Sequence, residues 1–433
     1  MRAFRIVPVA TAAVVLAGCA AGTAPHSAPP GADVDLSGQT VEVAAVWADD
    51  EQASFERVLD EFERQTGAEV TYVSGGDELP TVLSTRLVGG APPDVAIVSQ
   101  PALVHSMAAD GALVPLDAAT DALITEQFGP VWKEWGTVEG TLYGFVFKAT
   151  NKSTVWYDTE QLGEDFVPPA DWDAFVDLLR TRSDLGGTPL SVGGADGWTL
   201  TDWFENVYLQ TAGAQMYDKL AEHEIPWTDD SVRVAMETLG RAFQPQFMPG
   251  GRASALQTEF ADSVVDVFGD DPKAEIVFEA DFVAGVIAES TSATVGRDAL
   301  FFPFPSIGDT SSVITGGDTV VALTDRPATA ALVRFLASSQ AAAIWVERGG
   351  FISPNREVAL EGYPDETTRR IAEDLVNAQN PRFDMSDLMP TSLGATRGDG
   401  FWRAMQDYLA DPARLPQILS DLEAEATAAY ARR

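Results

Sequence analysis

The sequence predicts an α/β protein built as two lobes. Three observations carry this. The folded part opens with an alternation of strands and helices, the middle third reads as mostly helix, and short apolar strands return near residues 300–324. A chain that starts in sheet, leaves it and comes back crosses between lobes more than once.

The elements follow in order. Residues 1–18 have a basic start (Arg2, Arg5) and an apolar run to Leu16, the pattern of a secretory signal peptide. The run is too short to span a bilayer, which takes about 20 apolar residues. Residues 19–38 are small and proline-rich without apolar periodicity, and read as a flexible tether. Residues 40–47 read as a strand. A helix over 51–66 follows, capped by Asp49 or Asp50, with Phe55, Val58, Leu59 and Phe62 on one stripe and Gly67 as its stop. Strands over 68–73 and 93–98 flank a helix near 79–88. This βαβαβ run implies a parallel sheet with right-handed crossovers, and ligands sit beyond the carboxyl ends of such strands. Beyond Asp158 the texture turns helical, over 171–180, 201–213 and 228–243. Strands return at 275–279, 300–304 and 318–324, and helices near 327–347, 364–378 and 412–430 close the chain. The first lobe is expected to comprise 39–148 plus about 300–347, and the second, helix-rich lobe 149–299 plus about 348–433.

Composition narrows the function. The 433 residues carry a formal net charge of −37, which repels nucleic acid and anionic membrane surfaces. Cys19 is the single cysteine, so no internal disulfide forms. The histidines His26, His105 and His223 are scattered, so no Cys/His metal cluster is expected. There is no G-x-S-x-G elbow, P-loop or dinucleotide fingerprint. No cofactor, metal or catalytic residue is expected, and the chain does not read as an enzyme. A secreted glycoside hydrolase needs only two carboxylates, but among 65 acids a pair is no evidence.

What the chain does have is ten tryptophans, several beside acids: Trp47 with Asp49 and Asp50, Trp198 with Asp202, and Trp203 with Asp202 and Glu205. Phe282 likewise follows Asp281. Sugar faces stack on aromatic rings and sugar hydroxyls donate to carboxylates, so this pairing suits a saccharide.

At this point the motifs resemble a family. The segments "SGGDELPTVLSTRLVGGAPPDVAIVSQPALV", "FKATNKSTVWYD", "TDWFENVYLQTAGAQMYDKL", "GGDTVVALTDRPATAALVRFLAS", "RGGFISPNREV" and "RFDMSDLMP" occur in the order and spacing of the extracellular sugar-binding lipoproteins of ABC importers, in their alpha-glucoside-binding branch. The resemblance covers about residues 40–405. It implies a periplasmic-binding-protein-like fold whose two lobes close about a hinge on a small carbohydrate, and a monomeric receptor that docks on an ABC permease. The residues before Cys19 look like a bacterial lipobox. Cys19 would then carry the lipid that holds the protein on the outer face of the cytoplasmic membrane. The same fold tuned to a polyamine or a peptide is the alternative.

The family's ligand contacts map residue by residue. Asp77 matches the acid after the second strand, where the usual arginine before it is Gly76 here. Gln100 matches the Gln-Pro after the third strand. Asp202, Trp203 and Glu205 match a "DW-x-E" at a helix start, with Trp198 just before it. Asp281 lies where the branch often has an amide or serine. Gly317 and Asp318 match a Gly-Gly-Asp turn, and Asp387 the acid of "SDLMP". The stretch 144–158, "GFVFKATNKSTVWYD", falls at the first crossing between lobes. It holds two of only five lysines, Lys148 and Lys152. One of the two, Lys148 in preference to Lys152, is expected to point into the cleft beside Asp77 or Asp202.

Overall fold

The computed structural model describes residues 34–163, 165–308, 312–378 and 381–432. The signal peptide, Cys19 and the tether to residue 33 lie outside the described residues, as do the side chains of Asp49, Asp50 and Asp77.

Twelve strands are present among the described residues: β1 (Thr40–Ala45), β2 (Glu69–Ser74), β3 (Val95–Val98), β4 (Thr137–Val138), β5 (Thr141–Leu142), β6 (Gly144–Asn151), β7 (Thr154–Asp158), β8 (Leu190–Ser191), β9 (Ile276–Phe278), β10 (Ala299–Pro303), β11 (Ile314–Ala322) and β12 (Arg382–Phe383). With α1 (Asp49–Thr66) and α2 (Leu79–Val88) the opening is the expected βαβαβ run, and β1 pairs in parallel with both β2 and β3. The stripe of α1 buries Phe55, Val58, Leu59 and Phe62 against this sheet. Gly67 ends α1 in the left-handed region at φ 73°, its N–H returning to Glu63. The helix begins two residues earlier than expected, with Ala48 rather than an aspartate at its N-cap. The sheet is completed in the order β12-β11-β3-β1-β2, with β6 also on β11. Strand β11 runs antiparallel to β3 and β6.

The second sheet has the order β10-β7-β9-β8. Side chains alternate across it. Val155, Tyr157, Phe278 and Phe302 enter the core of the helical lobe, whereas Trp156, Val277 and Phe301 join an apolar cluster continuous with the first sheet. Strand β10 therefore belongs to the second lobe, not to the first as the sequence texture suggested. Conversely Phe351, Ile352, Tyr363, Ile371 and Leu375 bury in the first cluster, although 348–433 read as second-lobe chain. Pairing with β7 decides the first placement and apolar contact the second.

Three crossings join the lobes: β6 to β7, β10 to β11, and β12 to the short helix Met385–Leu388. The helix expected over 327–347 is two, Pro327–Leu336 and Ser339–Val346. They are broken where Ser338 turns out to cap the second by accepting the Ala341 N–H.

Candidate functional site

A cleft of about 970 Å³ opens between the lobes, within the roughly 300–1,000 Å³ range of small-molecule pockets. From the first lobe it is lined by Glu51 at the start of α1, by Gln100 at the N-cap of α3 (Pro101–Ala109), and by Gly317 and Asp318 of β11. Trp345 and Arg348 complete that wall. The second lobe supplies Trp198, Phe260, Phe282, Asp387 and Trp402. Lys148, Lys152 and Asp384 come from the β6 strand and the crossings.

Each lysine serves one lobe. Lys148 is 3% exposed and stands opposite Asp318 in the β6–β11 register. It pairs with Glu51 and lies 5.6 Å from the ring centre of Trp345. Burial opposes its charge, but Glu51, Asp318 and Asp281 outweigh that and raise its pKa. Asp318 accepts from Trp47 Nε1 at 3.0 Å and Ser99 Oγ at 2.8 Å. Gly317 is glycine for a packing reason: a Cβ there would lie 2.5 Å from Val146 Cγ1.

Lys152 pairs with Asp384 and lies 3.3 Å from both carboxyl oxygens of Asp202. Its ammonium is 5.9 Å from the ring centre of Trp198, which packs with Phe260 and Phe282 at 5.2 and 5.9 Å. Burial again opposes the charge, and Asp202, Asp384 and Asp387 hold the pKa well above its usual value. Lys152 and the Ser386 hydroxyl overcome burial at Asp384 and hold it down to about 2. Asp202, Glu205 and Asp384 bring carboxylate oxygens within 4.8 Å of one another, a spacing that could hold a cation. The Lys152 ammonium already supplies positive charge there.

The structure thus gathers Gln100, Lys148, Trp198, Gly317, Asp318 and Asp387 on the cleft wall. It does not bring Lys148 to Asp202; Lys152 takes that place. Asp202 lies behind Lys152, fully buried. Trp203 faces the helical core, its ring 4.4 Å from that of Phe278. Glu205 is buried and accepts from Tyr217 Oη and the N–H groups of Met385 and Ser386 at 2.7, 2.6 and 3.0 Å, which fixes the third crossing. Asp281 accepts the Asn151 N–H at 2.7 Å at the end of β6, and burial raises it to about 7. Asp77's side chain lies outside the described residues, though the neighbouring Gly76 lines the cleft. Glu51, Phe260, Trp345, Arg348 and Asp384 were not anticipated. Asp384 carried the one available signal, standing three residues before Asp387 in a quoted motif.

A family model described as bacterial extracellular solute-binding protein matches residues 48–343. The chain belongs to that family. This solute-binding protein is 33% identical over 433 residues to the osmoprotective compounds-binding protein GgtB of Synechocystis sp., covering 98% of this chain and 99% of the relative. It is 34% identical over 393 residues to the alpha-glucosides-binding periplasmic protein AglE of Rhizobium meliloti, covering 87% and 84%. In fold it matches the solved bacterial receptor AcbH, described as preferring β-D-galactopyranose, with a TM-score of 0.79 at 18% identity over 90% of this chain and 99% of that one. Maltose-bound MalE3 of T. maritima gives 0.70 at 15% identity over 90% and 99%. The solute-binding protein therefore has the two-lobed architecture of these receptors, and its cleft lies between the lobes.

Proposed function

We propose that the protein is the receptor of a carbohydrate importer. It captures a small alpha-glucoside, such as a disaccharide or a glucosylated polyol, between its lobes and delivers it to an ABC permease. The observation that carries this is the cleft itself: two aromatic walls, each with a lysine at its edge, interleaved with the carboxylates of Glu51, Asp318, Asp384 and Asp387. Rings take the C–H faces of a pyranose, and carboxylates and ammonium groups take its hydroxyls. A micromolar complex needs about −8 kcal/mol. Three or four hydrogen bonds to charged groups, at roughly 1.5–3 kcal/mol each, together with a sugar face stacked on a ring, work against the cost of association. The name of the Rhizobium relative supports an alpha-glucoside, and that of the Synechocystis relative an osmoprotective solute. Lys148, Lys152 and Arg348 on the wall disfavour a polyamine.

Isothermal calorimetry against maltose, trehalose, sucrose and glucosylglycerol tests this. At least one is expected to bind and to raise the melting temperature by mass action. A folded protein that binds none of them overturns the sugar reading. The anchor has its own test. Cys19→Ala is expected to move the protein from the membrane fraction to the medium, and unchanged fractionation would refute lipidation.

A further inference from the structure

Glu279 is a carboxyl group that the cleft does not use. It directly follows β9, is 1% exposed, and neither of its oxygens meets an N–H or O–H donor among the described residues. The charged groups facing it are Asp202, Lys152 and Asp384. Asp202 has one oxygen without a hydrogen-bond donor and stands beside Asp384. Glu205 and Asp387 crowd the same corner, each pushed well above the carboxylate range chiefly by burial, with Lys152 as the cation among them. A buried carboxylate that no donor reaches, crowded by other carboxyl groups, is less stable than its protonated form, and neighbouring carboxyl groups settle by sharing a proton. An O–H on Glu279 gives Asp202 its missing donor. An O–H on Asp202 gives one to Asp384, which stays ionised against Lys152.

We propose that Glu279, Asp202 and Asp384 form a proton-sharing carboxyl chain that ends on Lys152, and that Glu279 is thereby a positioning residue for ligand binding. The directions of titration agree. Burial pushes Glu279 well above the carboxylate range and Asp202 up to about 8, while Asp384 is held at about 2. Removing protons from the chain adds negative charge behind Lys152, opposite the cleft. That charge draws the ammonium away from Trp198 and from the ligand.

Two readouts on the full mature chain test this. Carboxyl-carbon NMR of the wild-type protein should show a carboxyl that is protonated at neutral pH and disappears in Glu279→Gln. Maltose affinity, a readout that rests on the sugar reading, should fall several-fold in the wild type between about pH 6 and about pH 9. Glu279→Gln, whose amide still donates to Asp202 but has no proton to lose, should give a shallower profile than the wild type, and Glu279→Ala, with no donor, weaker binding throughout. A Glu279 that titrates in the ordinary carboxylate range overturns the proposal, as does a Gln profile falling in parallel with the wild type. If the wild type binds no maltose, the sugar of the calorimetric panel that it does bind replaces it; if it binds none of them, the sugar reading fails while the NMR titration still decides the chain.

Discussion

Lys152 and Asp384 stand on two different crossings between the lobes, and their ion pair ties those crossings together. Both are also fixed to the start of β11. The Lys152 N–H donates to Ile314 O at 2.9 Å and the Asp384 N–H to Thr315 O at 2.8 Å. The same two side chains line the cleft. A ligand that touches them touches the hinge directly, so binding and closure share one set of atoms. Only a difference in affinity between open and closed forms shifts that equilibrium.

Asp384→Asn should therefore damage stability and binding together. Removing one partner of a buried pair leaves the other charge uncompensated, typically at about 3–5 kcal/mol. Denaturant melts should show a loss of that order, and calorimetry an affinity at least roughly tenfold weaker. A variant with wild-type stability would show that neighbouring Asp202 suffices for Lys152.

The two tryptophans of the Trp198–Ala212 helix should separate cleanly. Trp198 lines the cleft and is only half-buried, so Trp198→Ala should weaken sugar binding by about 1–1.5 kcal/mol or more with a small shift in melting temperature. Trp203 is 1% exposed and packed on Phe278 and Phe243. Trp203→Ala should lower stability by about 3–5 kcal/mol while leaving the affinity of the folded fraction near wild type. The opposite pattern would put Trp203 in the site.

That contrast explains how much could be read from sequence. The βαβαβ opening was legible because period-3.6 and strand patterns are local. The "DW-x-E" run was legible as a motif but not as a geometry. Each residue advances about 100° around a helix, so Asp202 and Glu205 share a face while Trp203, one residue on, turns into the core. Glu51 carried no local signal, and Asp384 only its place three residues before Asp387. Their importance comes from Lys148 and Lys152, 97 and 232 residues away in sequence. The choice of Lys148 as the partner of Asp202 failed for a related reason. Successive strand residues alternate faces, but Lys152 lies past the end of β6, in the crossing, where that rule no longer assigns a direction.

Gly316 and Gly317 should respond differently to alanine. A Cβ at Gly316 would lie 3.1 Å from Lys152 Cε, the flexible part of a side chain, whereas at Gly317 it would lie 2.5 Å from Val146 Cγ1 and 3.0 Å from Lys148 O. Gly317→Ala should therefore strain the β6–β11 pair and lower stability by about 1–3 kcal/mol. Gly316→Ala should shift Lys152 and weaken binding with little change in the denaturation midpoint. Equal stability losses for both would contradict the distinct surroundings of the two glycines.

Asp281 gives the ligand-free protein a pH signature of its own. Burial raises its pKa from 3.8 to about 7 in the folded state, with Lys148 and the Asn151 N–H opposing. The folded chain then holds a proton that the unfolded chain has released. The stabilisation is complete below about pH 4 and disappears as pH rises through 7, at up to about 1.4 kcal/mol per pH unit for one proton. Carboxylates held low, such as Asp298 at about 2 beside Arg297, act with the opposite sign but only below about pH 4, outside this window. The wild-type melting temperature should therefore decline from about pH 5 to about pH 7. Asp281→Asn keeps an acceptor for the Asn151 N–H but cannot titrate, so its profile should be flatter by one proton and should cross above the wild type by about pH 8. Parallel profiles would mean that Asp281 is already ionised in the folded protein, held so by Lys148.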